Sequence, residues 1–506
     1  MVAITDTLML STDKPVMPRL AALLACLVLG YMMWAVIYNL FFSPLRKVPG
    51  PILWAISPLP QGLTQCFGTP HKTILALHQK YGDVVRTGPK SVSLLNHDAW
   101  RQVYGHRKAG QPENPKEPSF FQAISHSVVA ADSENHTRIR RVLAGGFSAQ
   151  SMIKQESLIG GYIDLFFERL REHHLSGKPI DVVKWFNYLT FDVIGDLAFG
   201  EPFGCLENSN YHTWVAMVFE QFKEIQMLAQ LRRAYPTLNA AISPILQTFA
   251  AKKIRAHDEL VEIKVDKRLA LQSERPDFMD AMTAPGPDGK QKLSLKELQH
   301  NASVLIVAGS ETTATTLCGI TSLLCAHPRV LAKLRDEVLS AFSTEAEITL
   351  VSVQRLKYMT AVIDEGLRIY PAAPASAPRL IHQGGATICD TYLPQGTIVD
   401  IWHWPMYHSE SNFALAESFI PERWLGDPRF ANDNKDAFQP FSTGGRNCLG
   451  RNLAYAEMRL ILARLVWNYD ISFVNEADKD WVKDQQMWVL WDKPPLNIHL
   501  ERRKDQ

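Results

Sequence analysis

Residues 441–450 read Phe441-Ser442-Thr443-Gly444-Gly445-Arg446-Asn447-Cys448-Leu449-Gly450, and an amphipathic run opens at Arg451. Glycine allows a loop tight enough for backbone N–H groups to approach a sulfur atom. A helix that starts just past Cys448 would set its positive end beside that sulfur. Both effects favour thiolate over thiol. Arg446 adds a cation for an anionic group. A thiolate held in such a loop is suited to bind haem iron and push electron density towards it. Read alone, the same segment also fits an inert, buried cysteine.

Working outward, the chain has 506 residues, of which 46% are hydrophobic and 21% charged. That is enough apolar material for a large core, and it excludes wholesale disorder. Lys and Arg number 53 against 52 Asp and Glu, so the net charge is 53 − 52 = +1. There is no basic excess to neutralise phosphates, and no nucleic-acid partner is expected. The seven cysteines are scattered without a Cys-x-x-Cys pair, which argues against a disulfide framework or zinc module.

From Leu20 to Phe42 no side chain is charged, and Asn39 is the only strongly polar one. A stretch of this length can span a bilayer as one helix, which needs roughly 20 residues. Bulky Trp34, Tyr38 and Phe41 at its end do not suit signal-peptide cleavage. Arg46 and Lys47 follow it without compensating acids, so the positive-inside tendency puts the bulk of the chain in the cytosol. The expected division is a short luminal segment over residues 1–19, an anchor over 20–42, a proline-rich hinge over 43–56 and a catalytic domain over 57–506. Within that domain, strands are expected in Tyr81–Leu95 and Ala386–Ile401. Helical periodicity marks Gln155–Leu175, Val182–Ala198, Tyr211–Ala234 and Ala250–Leu271, and Pro276–Lys292 reads as a polar loop. The fold class is mainly α with a minor β-sheet.

The longest expected helix opens at a capping box, Ser294 with Glu297, and is stopped by Pro328. Its centre, Ala308-Gly309-Ser310-Glu311-Thr312-Thr313, sets polar residues inside an apolar run. Thr312 could bond back to the Ala308 carbonyl and open the helix to water. Alternatively, these residues simply face solvent.

Together these segments resemble the cytochrome P-450 family of haem-thiolate monooxygenases. Its signature F-x-x-G-x-R-x-C-x-G is met at Phe441, Gly444, Arg446, Cys448 and Gly450. Its A-G-x-[DE]-T-[TS] pattern is met at Ala308, Gly309, Glu311, Thr312 and Thr313. Its E-x-x-R pattern falls on Glu365 and Arg368, and P-E-R-[FW] on Pro421-Glu422-Arg423-Trp424. The resemblance implies haem b with Cys448 as axial ligand, and Glu311 and Thr312 as a proton relay. It also implies a buried structural triad of Glu365, Arg368 and Arg423. The family's W-x-x-x-R pattern falls on His136 and Arg140, with histidine replacing tryptophan; these two and Arg379 are the expected haem-propionate contacts. Arg138 and Arg141 would face outward as a patch for an acidic reductase.

The implied partners are NADPH-cytochrome P-450 reductase, with cytochrome b5 as a further donor, and the endoplasmic reticulum membrane. The implied substrate is lipophilic, in a pocket lined by Phe120-Phe121, Val304–Ala308, Ala372–Ala377 and Met487–Leu490. The hinge, His408–Phe413 and Pro421–Trp424 resemble those of membrane-bound fungal enzymes of secondary metabolism, which act on terpenoids, polyketides and aromatics. Two other readings use the same cysteine. A haem-thiolate isomerase or dehydratase needs no O₂, but such relatives tend to lose the acid–alcohol pair. A non-catalytic haem-binding membrane partner is the other.

Overall fold

The computed structural model describes residues 16–503 except 109, 122–125, 176, 272–274, 276, 286–288, 290, 376 and 484. Nine helices carry the argument: α1 (Val16–Ile37), α2 (Ser133–Ala144), α3 (Ala149–Leu175), α4 (Val182–Phe199), α5 (Thr213–Ala234), α6 (Pro236–Ala270), α7 (Leu295–Ala326), α8 (Lys357–Ile369) and α9 (Arg451–Asn468). A four-stranded sheet runs Val84–Gly88, Ser91–Leu94, Ile398–Asp400, Arg379–Leu380, with the central pair parallel. A second sheet sets Asn497–Arg502 between Ile180–Asp181 and Tyr469–Phe473, antiparallel throughout.

α7 crosses the domain. Ser294 accepts from the Glu297 N–H while the Glu297 carboxylate accepts from the Ser294 N–H, so the expected capping box forms. Its longest contact is with α4, whose side chains are buried from Val182 to Phe199 except Lys184. Gly309 makes the approach possible, because a Cβ there would lie 2.5 Å from Ile194 Cδ1. α7 is apolar and long enough to span a membrane, but most of it is buried in protein. The apolar helical run Arg19–Phe42 differs: all of its most apolar window is bare. At 1.5 Å per residue its 24 residues reach roughly 36 Å, more than the ~30 Å hydrocarbon layer.

Three segments depart from expectation. The hinge is two short helical turns, Pro44–Lys47 and Ile52–Ile56. Its start is tied down by buried Arg86, which donates to the Asn39 carbonyl (2.9 Å), the Asn39 side chain (3.2 Å) and Ser43 Oγ (3.2 Å). α6 begins 14 residues before the expected Ala250, with Pro236 in its first turn and Pro244 inside it. A proline and a mixed polar stretch hid that half. Within the expected loop Pro276–Lys292, Phe278–Thr283 form a helix capped by Asp277, whose carboxylate also pairs with buried Arg268 at 2.9 Å.

The expected triad is present and larger. Arg368 forks onto Glu365 at 2.8 and 2.9 Å and donates to the carbonyls of Tyr407, Ala416 and Ser418. Arg423 Nε donates to Glu365 at 3.3 Å, and Trp424 Nε1 donates to it at 2.9 Å. A fourth charge, Asp433, pairs with the other end of Arg423, so the buried group is two acids and two bases. All four side chains are at most 2% exposed. Removing one partner of such a group strands a buried charge, at a cost of about 3–5 kcal/mol. Asp433→Ala should therefore lower the urea-unfolding free energy of the holoprotein by about that amount. A change within about 0.5 kcal/mol, the range of ordinary surface substitutions, would remove Asp433 from the network.

Candidate active site

The loop before α9 builds the centre. Ser442 and Gly444 both have positive φ (59° and 77°), and a Cβ on Gly444 would lie 1.9 Å from the Tyr104 carbonyl oxygen. The Cys448 N–H donates to the Phe441 carbonyl at 2.8 Å, closing the loop. Gly450 caps α9. The Cys448 side chain is accessible, yet deep in the protein, because it opens onto an internal chamber of about 390 Å³. The Gly450 N–H favours the Cys448 thiolate, as expected of the loop and helix start. Burial pushes the Cys448 thiol up and outweighs the Gly450 N–H and the Arg140 and Arg451 guanidiniums. A coordinated cation deprotonates such a thiol outright.

α7 supplies one wall of the chamber with Val304, Leu305, Ala308 and Thr312, and Ala372, Ala373 and Ala377 follow α8 into another. Thr312 donates to the Ala308 carbonyl at 2.6 Å, the back-bond expected from its spacing. Glu311 does not reach this chamber. Its carboxylate pairs with buried Lys493 and accepts from Thr315 Oγ1 at 3.2 Å, with Lys493 Nζ 2.7 Å from the same hydroxyl. It lines a separate cleft of about 360 Å³. Trp488 and Leu490 line that cleft too, so the expectation that Met487–Leu490 face the Cys448 chamber is corrected. Phe120 and Phe121 lie on the short helix Pro118–Phe121, and their side chains fall outside the described residues.

A second cavity of about 660 Å³, lined by many charged side chains, adjoins the first and shares His136, Arg140, Arg379 and Arg446 with it. Its charged lining is basic except for Glu113. Arg446 pairs with Glu113 and donates to the Ala131 carbonyl at 2.8 Å, and Arg140 donates to the Asn447 carbonyl at 2.7 Å. Arg379, 5% exposed, keeps its Nε and Nη1 without a hydrogen-bond partner, Glu113 standing off at 3.7 Å. Burial and the nearby Arg446, Lys116 and Arg140 pull His136 down to about 4, so it is neutral at pH 7. Lys116, pulled down to about 6 by burial and by Arg446 and Arg379, lines the chamber and was not legible in the sequence. Buried guanidinium donors lacking a partner, next to an apolar chamber floored by a cysteine, fit a haem with its carboxylates towards the basic cavity.

On α2, His136 and Arg140 face inward as expected, one helical turn apart. Arg138 is not a free surface cation: it pairs with Glu297 and donates to the Lys292 carbonyl at 3.0 Å. Only Arg141 of the expected docking pair is exposed.

The profile of the cytochrome P-450 family matches residues 48–500. The chain is 47% identical to trichothecene C-15 hydroxylase of Fusarium sporotrichioides over 474 residues, 93% of this chain and 96% of that protein. It is 42% identical to the cytochrome P-450 monooxygenase astA of Talaromyces wortmannii over 95% of this chain and 97% of that one. It is also 42% identical to averantin hydroxylase of Dothistroma septosporum, over 92% and 89% respectively. With the cysteine loop, the acid–base network and the length of these matches in agreement, the chain belongs to the cytochrome P-450 family.

Proposed function

We propose that this chain is a membrane-anchored monooxygenase that hydroxylates a lipophilic secondary metabolite: R–H + O₂ + NADPH + H⁺ gives R–OH + H₂O + NADP⁺. Family membership brings the cofactor, haem b, with the Cys448 thiolate as axial ligand to iron. When bound, it supplies the reductive activation of O₂. One observation carries the reading: the Cys448 side chain and Thr312 open onto the same mainly apolar chamber. Its Val, Leu and Ala walls suit an apolar carbon skeleton such as a terpenoid, polyketide or aromatic. The hydroxylase names of the relatives support that class.

The remaining roles belong to the chain's own residues. Thr312 would hold a water over the reacting face, with its hydroxyl fixed by the Ala308 carbonyl. Glu311 would draw protons from the cleft behind α7 once released from Lys493. Arg379, His136 and Arg140 would bind the propionates, with Arg446 between Glu113 and the same cavity. Phe441, Gly444 and Gly450 would shape the thiolate loop. Electrons would come from NADPH through cytochrome P-450 reductase, or from cytochrome b5, docked near exposed Arg141 and Arg451. Residues 20–42 would cross the endoplasmic reticulum membrane, with 1–19 luminal and 57–506 cytosolic, and Arg46 and Lys47 on the cytosolic side.

Three measurements test this. The dithionite-reduced, CO-bound membrane fraction should show the strongly red-shifted Soret band of a thiolate-ligated haem, and Cys448→Ala should abolish it. Its absence from folded wild-type protein would defeat the assignment. Thr312→Ala should keep consuming NADPH while releasing peroxide in place of hydroxylated product; an isomerase would consume none, and normal coupling would remove Thr312 from the relay. A hydrogen bond to a charged group contributes about 1.5–3 kcal/mol. Arg379→Ala should therefore weaken haem retention by roughly 10- to 100-fold, read as haem transfer to apomyoglobin. Unchanged retention would separate Arg379 from the propionates.

A further inference from the structure

Three helices meet at one histidine that the mechanism above does not use. His257 on α6 lies between Trp214 on α5 and Ser303 on α7. Trp214 Nε1 donates to His257 Nδ1 at 2.9 Å, and His257 Nε2 stands 2.9 Å from Ser303 Oγ. An indole N–H donates and never accepts, so Nδ1 must be the bare nitrogen. The ring is therefore neutral, with its one proton on Nε2 and Ser303 as the acceptor. A second proton on Nδ1 would face the Trp214 N–H, donor against donor. Trp214 is 1% exposed, so breaking that contact strands a buried N–H.

The junction borders the Cys448 chamber. Ser303 precedes Val304 and Leu305, which line it. Half a turn earlier, Asn301 Oδ1 accepts from the Val128 N–H at 2.8 Å, and Val128 and Val129 line the chamber too. His300 meets the His126 ring edge-on, with centroids 5.2 Å apart. The titratable groups that act on His257 are Asp258 on its own helix and His300 on α7. His300 in turn faces His126, Asp258 and Lys296. On the helices packed around α6, Asp192 is turned to the Cys205 and Leu206 N–H groups and Asp196 to Arg275. Glu224 pairs with Lys253, and Glu297 with Arg138.

We propose that His257 is a positioning residue: fixed in one neutral tautomer between Trp214 and Ser303, it holds the Val304–Leu305 wall of the chamber against α5 and α6, and a second proton releases that wall. This rests on the reading of the Cys448 chamber as the substrate pocket. His257 touches neither substrate nor cofactor; it acts through Ser303 on the residues that follow. Burial, aided by His300 and opposed by Asp258, pulls His257 below the ordinary histidine value of 6.5. Between that value and the lower folded one, the unfolded chain binds one more proton than the folded protein. The contribution to stability is therefore complete above about 6.5 and is lost as pH falls through the window.

Imidazole ¹⁵N spectra of the histidine-labelled holoprotein test the tautomer, with the His257 signals assigned by their loss in His257→Gln. At pH 7 the wild type should show a bare Nδ1 and a protonated Nε2, and it should take its second proton only below 6.5. Trp214→Phe removes the opposing donor, so the titration should move up towards 6.5. Carbon monoxide is the probe of the wall. Its rebinding rate after photolysis of the reduced holoprotein should change severalfold in wild type as His257 takes that proton. Glutamine keeps an acceptor and a donor but cannot take the proton, so His257→Gln should hold the pH 7 rate throughout. Ser303→Ala, which leaves the Trp214 bond in place, should show the acid rate already at pH 7. Should Trp214→Phe fail to fold, Ser303→Ala and His257→Gln still decide the matter. A His257 that is charged or protonated on Nδ1 at pH 7 would overturn the proposal, as would one rebinding profile shared by wild type, His257→Gln and Ser303→Ala. A wild type with the expected tautomer but no red-shifted Soret band would overturn the haem-thiolate reading instead.

Discussion

A single buried carboxylate, Glu365, holds together the two segments on which the chamber depends. It sits on α8, whose end leads into Ala372–Ala377, and it binds Arg423 and Trp424 of the segment that leads to Cys448. Its neighbour Arg368 fixes three carbonyls of that same segment, at Tyr407, Ala416 and Ser418. Buried charges are costly unless each is paired and hydrogen-bonded. The two acids and two bases here meet that condition together. Remove one, and the wall before Ala372 and the loop carrying Cys448 lose their common fixing point.

α7 answers a different constraint. Consecutive residues on an α-helix point about 100° apart, so an adjacent acid and alcohol can be divided between two sides of the helix. Thr312 takes the chamber side; Glu311 takes the other and is neutralised by Lys493 from the C-terminal segment. The motif reads as one functional pair, whereas the helix divides it between two compartments. The acid and the alcohol therefore open onto different cavities on the two sides of α7.

Local chemistry was legible in the sequence. The glycine loop around Cys448, the capping box at Ser294 and the back-bond of Thr312 each depend on residues within a few positions of one another. Partners brought from afar were not. Asp433 lies in a polar run, Ala431-Asn432-Asp433-Asn434, that resembles any solvated loop. Lys493 and Lys116 sit between prolines and aspartate or glutamate, with no periodicity to reveal an inward direction. Arg138, expected to face outward, is instead reached by Glu297 on α7. The Arg86 clamp on Asn39 and Ser43 joins residues more than 40 positions apart, which no local pattern encodes.

The replacement of tryptophan by histidine at position 136 shows how such distant neighbours decide chemistry. A solvated histidine titrates near neutrality and would make a poor fixed donor. Here burial, together with Arg446, Lys116 and Arg140, holds His136 down to about 4, so across the physiological range it is a neutral ring with one N–H. A tryptophan indole offers the same single donor. The cations that raise the cost of a charged imidazole also make the cavity attractive to carboxylates. The substitution therefore preserves donor count at this position because burial, with Arg446, Lys116 and Arg140 converging from separate parts of the chain, keeps the ring neutral.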